Sequence, residues 1–123
     1  MKSTTIRRIE AFEMWMYRRM LKISWTDHIT NEEVLRRMNK ERELLVTVKK
    51  RKACYLGHIF RSEKYNLLQL IVQGKVEGRR GIGRRRISWM KNLREWLNVN
   101  NTAELIRLAQ DRNAYSEMAA NLL

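Results

Sequence analysis

A chain of 123 residues with 44% hydrophobic side chains is long enough for one modest core and too apolar for global disorder. It contains no proline, which favours uninterrupted helices over a loop-rich β sandwich, and one cysteine, which excludes an internal disulfide and suits a reducing compartment. Its 26 lysines and arginines outnumber 13 carboxylates, and the net charge of +13 points to a polyanionic partner. The first fifteen residues have no apolar stretch followed by a cleavage site, so no secretory signal is expected. The longest uncharged apolar run, 65–74, is too short to span a bilayer. These features predict an intracellular protein, nuclear or cytoplasmic, with no membrane partner.

In chain order, 5–23 reads as a helix because Ile6, Ile9, Phe12, Trp15, Met16, Met20 and Ile23 recur at three- and four-residue spacing. A polar break, 24–30, holds Trp25 and ends at Thr30, an N-cap candidate with Glu33 placed to complete a capping box and Ile29 and Val34 at the staple positions. The short helix that follows runs to about residue 39. A longer one covers 41–61, with Leu44, Leu45, Val48, Tyr55, Leu56, Ile59 and Phe60 on its apolar side. Gly57 inside it costs roughly 1 kcal/mol relative to alanine, which a close helix crossing explains. Residues 64–73 are read as helix, although periodicity leaves a short strand open. After a basic loop at 74–88, Ser88 is placed to cap a helix to about 97 with Trp89, Leu93, Trp96 and Leu97 on one face. Thr102 is then placed to cap a helix, and a last one spans about 111–121. The expected architecture is all-α, one small irregular helical domain of five to seven helices over 1–123.

The charge is concentrated. Residues 41–100 hold 15 cations and 5 anions, and the loop 74–88 combines four of the five glycines with Lys75, Arg79, Arg80, Arg84, Arg85 and Arg86. Glycine lets backbone approach a partner closely, and arginine forks match phosphate oxygens two at a time. A second run, Lys49, Lys50, Arg51 and Lys52, fits phosphate contact, a nuclear-targeting signal or a solvated helix flank. Of the four tryptophans, spacing assigns Trp15, Trp89 and Trp96 to the core and leaves Trp25 the least readily buried.

Catalytic chemistry is not visible. No GxxxxGK[ST] loop, nucleophile–base set or clustered aspartates occur. Cys54 and His58 share a helical face, but a structural zinc site needs four ligands and His28 is the only other candidate. No cofactor is expected. Cys54 reads as a small core residue and His58 as partly exposed.

Five stretches, 8–24 (RIEAFEMWMYRRMLKIS), 25–36 (WTDHITNEEVLR), 55–60 (YLGHIF), 67–97 (LLQLIVQGKVEGRRGIGRRRISWMKNLREWL) and 103–123, resemble in order and spacing the C-terminal end of reverse transcriptases from animal non-LTR (LINE-type) retrotransposons. The block from Gly74 to Trp89 is the most specific part. The resemblance implies a region that follows the polymerase palm and thumb and helps hold template RNA or target DNA. The palm aspartates and the endonuclease are absent, so the expectation is not an enzyme but a fragment or domesticated copy. The expected function is non-catalytic, sequence-nonspecific binding of RNA or DNA. The alternative is a structural or protein-interaction remnant that packed on the parent polymerase.

Overall fold

The computed structural model describes residues 1–78, 82–83 and 89–122. Among these residues seven α-helices form: α1 (Ser3–Met20), α2 (Asn31–Met38), α3 (Leu44–Phe60), α4 (Asn66–Gln73), α5 (Trp89–Leu97), α6 (Thr102–Gln110) and α7 (Arg112–Ala120). No strand occurs among the described residues, and 66–73 is helical. The chain packs as two compact units, Met1–Val48 and Lys49–Leu123, and the division falls inside α3. Among the described residues, no helix is long and apolar enough to cross a membrane.

In the first unit, Met14 and Tyr17 of α1 pack with Val34 of α2, flanked by half-buried Met16, Leu21, Ile29 and Leu35. The spacing-based stripe on α1 is only partly borne out: Met16 and Ile23 pack on this core, whereas Phe12, Trp15 and Met20 are 54%, 55% and 63% exposed. The cause is Glu13. Its side chain is 1% exposed, and Oε1 accepts the Glu43 and Leu44 backbone N–H groups, each at 2.8 Å, and the Tyr17 hydroxyl at 3.3 Å. These N–H groups stand at the first turn of α3, where backbone donors lack helical partners. A carboxylate so placed also meets the positive end of the helix dipole. That cap sets the start of α3 at Leu44 rather than 41. Burial, and then the Glu13 charge, push the Tyr17 phenol up from 10.0.

The other ends follow similar logic. Thr30 Oγ1 accepts the Glu33 N–H, as expected, and Ile29 packs on the Val34 cluster. The Glu33 carboxylate does not close the box, because Arg36 and Arg37 take it at 2.8 Å and hold its pKa down to about 2. Asn101, not Thr102, caps α6, by accepting the Glu104 N–H at 2.7 Å. Asp111 Oδ1 accepts the Asn113 and Ala114 N–H groups at the start of α7. Lys22, Asn39, Gly74 and Asn98, all at positive φ, follow the C-termini of α1, α2, α4 and α5. Each lets the next residue's N–H reach back to Arg18, Leu35, Leu70 or Arg94, respectively.

In the second unit, Leu56, Ile59, Leu93, Leu105 and Tyr115 are buried at 2% exposure or less. Ala53 and Gly57, one turn apart on α3, make a notch for Tyr115 of α7, whose hydroxyl donates to the Ala53 carbonyl at 2.9 Å. A Cβ on Gly57 would stand 3.0 Å from the Tyr115 ring and 2.7 Å from the Arg61 guanidinium. The predicted close crossing is thus α3 against the Tyr115 ring. Arg61 cannot swing away freely, since its Nη1 donates to Ala109 O at 2.9 Å in the last turn of α6. Two expectations for α3 fail: Cys54 is exposed, and Tyr55 is 51% exposed. The notch turns α3 so that positions 53, 56, 57 and 60 face inward and 54 and 55 face out.

Gly57→Ala should destabilise the chain by about 1 kcal/mol in denaturant melts. The overpacking penalty of roughly 1–3 kcal/mol exceeds the helix-propensity gain of roughly 1 kcal/mol. A stabilised variant would show that Arg61 and Tyr115 yield. A second expectation concerns alkali. Burial, then the nearby Cys54, raise the Tyr115 phenol above its ordinary 10.0. An acid raised on folding lowers stability as pH climbs above its unfolded value, because the unfolded chain then binds fewer protons. Stability should fall above pH 10, and Tyr115→Phe should flatten that fall while costing about 1 kcal/mol at neutral pH. An equally steep alkaline limb in the variant would assign the effect elsewhere.

Candidate nucleic-acid interface

Two basic segments predicted to contact phosphate both belong to the second unit. The first, 49–52, lies on α3, where four successive residues point around most of a helix. Arg51 is exposed and Lys49, Lys50 and Lys52 are half-buried. Lys52 stands next to Ala53 at the core edge, and its ammonium lies 4.9 Å from the ring centroids of both Trp89 and Trp96. Its Nζ also donates to Asn92 Oδ1 at 3.4 Å. Burial pushes this ammonium below its ordinary 10.5, while the two π faces favour the charged form. Of the four cations, Lys52 is thus engaged inside the protein, and Arg51 is the one most open to a ligand.

The second segment starts where α4 ends. Gly74 takes a left-handed conformation (φ 74°), and the Lys75 N–H closes on Leu70 O at 2.9 Å. Lys75 is exposed. Arg79, Arg80, Arg84, Arg85 and Arg86, and the predicted cap Ser88, lie outside the described residues. What the structure gives for this loop is its two attachments. Leu68 and Val72 of α4 pack against the core on one side. On the other, Trp89, the first residue of α5, packs against the core, meets Tyr55 edge-on at 6.4 Å and receives Lys52. The loop therefore rejoins the fold at the basic run of α3. Sequence spacing put Trp89 and Trp96 in the core; they are half-buried at its edge, with Leu93 and Leu97 of the same helix buried.

One aromatic feature escaped the sequence reading. Trp15, assigned to the core, is exposed and stacks on Phe12 with centroids 5.8 Å apart, with the Arg19 guanidinium 5.4 Å from its ring. Trp25 is 84% exposed, in keeping with its place in the polar break. Elsewhere, His58 is exposed and tilts against Tyr65, with Nε2 and the hydroxyl 3.3 Å apart. Among the described residues, no three His, Cys, Asp or Glu side chains converge as metal ligands would.

Trp89→Ala should destabilise the chain by about 2 kcal/mol, below the roughly 3–5 kcal/mol of a fully buried aromatic. Lys52→Met, which keeps the aliphatic stem, should cost about 1 kcal/mol through the lost cation–π contacts. A double-mutant cycle in urea checks the pair: additive losses would mean that Lys52 and Trp89 do not interact. No protein-family model, curated protein or solved structure matches the chain.

Proposed function

We propose that the chain is a non-catalytic nucleic-acid-binding protein of the kind that its sequence resembles, the C-terminal end of a LINE-type reverse transcriptase. The observation that carries this reading is the juncture at Trp89. There the residue that follows the Gly/Arg-rich loop in sequence lies against Lys52, a member of the basic run of α3. The N-terminus of α5 also opens there and adds its positive dipole end. Phosphates would be met by Arg79, Arg80, Arg84, Arg85, Arg86 and Lys75, with Lys49, Lys50 and Arg51 extending the footprint. Lys52 would act by holding the tryptophans that anchor the loop. Backbone contact of this sort fixes position and supplies affinity without reading sequence. RNA and DNA are both admitted as ligands, and a nuclear or cytoplasmic location accommodates either.

A second reading, docking on a parent polymerase, is favoured by one observation. Leu67, Ile71 and Val76 are 70%, 50% and 58% exposed at and just beyond α4, an apolar surface that a soluble chain seldom leaves uncovered.

The test is a salt series. If about six phosphates are neutralised, the slope of log affinity against log salt should be near −5 on duplex DNA and near −4 on single strands. Changing the five loop arginines to alanine should flatten it by several units without altering the helical circular dichroism. An unchanged slope would move the site off the loop. Absence of binding at low salt would leave the docking reading.

A further inference from the structure

The exposed face of α1 carries a constellation that the loop does not need. Arg8, Phe12, Trp15 and Arg19, spaced four, three and four apart, form one stripe along the helix, and all four are exposed. Phe12 and Trp15 lie nearly parallel, with 25° between their rings, and each leaves about half of its surface to solvent, 54% and 55%. Beside this pair runs an open groove of about 450 Å³ whose wall includes Trp15, Arg7, Arg18 and Arg42, against one carboxylate, Glu10. Arg18 is fixed there: its Nη2 donates to Ile29 O at 2.8 Å and to Asn31 Oδ1 at 2.9 Å.

The geometry points to a single-stranded nucleic-acid site on the first unit, with an unpaired base stacked on the Phe12–Trp15 pair and the adjoining phosphate in the arginine groove. Three physical points favour this occupant over an apolar partner. The groove cations outnumber the single acid, so the surface complements an anion. Planar rings standing open beside cations are what single strands use, since every base has a π face while a duplex hides its bases in the stack. The Arg19 guanidinium over Trp15 is an exposed contact of small worth, so a base can replace it while the charge turns to phosphate. The inference shares its class of ligand with the proposed function but none of its residues, and it adds a preference that the loop arginines cannot supply: single strands over duplex.

The test uses the full chain, a short single-stranded oligonucleotide and the duplex of the same sequence at one fixed salt concentration. Trp15→Ala should lower single-strand affinity about 5- to 100-fold and leave duplex affinity unchanged. Trp15→Phe should restore most of the loss, and the melting temperature should hold in both variants because the ring is exposed. In a Trp25→Phe background, fluorescence should quench as single strand is added, and Trp15→Phe in that background should remove the quench. Equal losses on both ligands, or none, would overturn the platform; with the salt slope of the loop intact, only this inference would fall. A wild-type chain that binds neither ligand would overturn both, and leave the α1 face to a protein partner.

Discussion

Short helices set the terms of this structure. Five of the seven are only eight or nine residues long, and every helix leaves about four N–H and four C=O groups without partners inside itself. In such a chain a large share of the backbone lies at an end, so the fold holds only if side chains reach those ends from elsewhere. Thr30, Asn101 and Asp111 do so locally. Glu13, Arg61 and Gln69 do so from elsewhere in the chain: Glu13 of α1 on the first turn of α3, Arg61, just past α3, on the last turn of α6, and Gln69 of α4 on the Ile59 carbonyl of α3. These long-range caps orient helices as much as apolar packing does, and they decide which residues are left facing water.

That priority explains what could be read from the sequence. Helical content and the Thr30 cap follow from local pattern, whereas for 66–73 the pattern favours helix and leaves a strand open, which the structure closes. The face of α1 does not follow from pattern. Counting apolar residues favours Phe12, Trp15 and Met20, but the inner face is taken by Met14 and Tyr17 together with the capping carboxylate of Glu13, and no periodicity registers that cap. The left-handed termini show the same limit: Gly74 is recognisable, whereas Lys22 adopts that conformation without any preference for it. The Asn101 cap is hard to place because Thr102 beside it is also a capping residue type, although asparagine is the stronger one. Of the candidate site, the cations are plain in the sequence, but the engagement of Lys52 between two tryptophans separated by a full turn and more on α5 is a tertiary fact.

The chain shows two kinds of cation–aromatic contact, and the contrast is instructive. Lys52 is half-buried between two indoles and bonded to Asn92, so its charge is spent inside the fold. Arg19 over Trp15 is exposed, and such contacts cost little to break. The first kind fastens a loop to a core; the second leaves a surface ready to exchange partners. Counting charges in sequence treats the two alike, which is why net charge forecasts a class of partner better than it forecasts contact residues.

The rotation of α3 that turns Cys54 outward has a practical side. It is the chain's sole cysteine, it is exposed, and it sits two residues from the lysine held between the tryptophans. A maleimide dye or a nitroxide would therefore attach at one defined point on the native sequence, beside the basic run of α3. The molecule brings its own reporter position, and changes in its surroundings can be followed optically or magnetically without altering any residue.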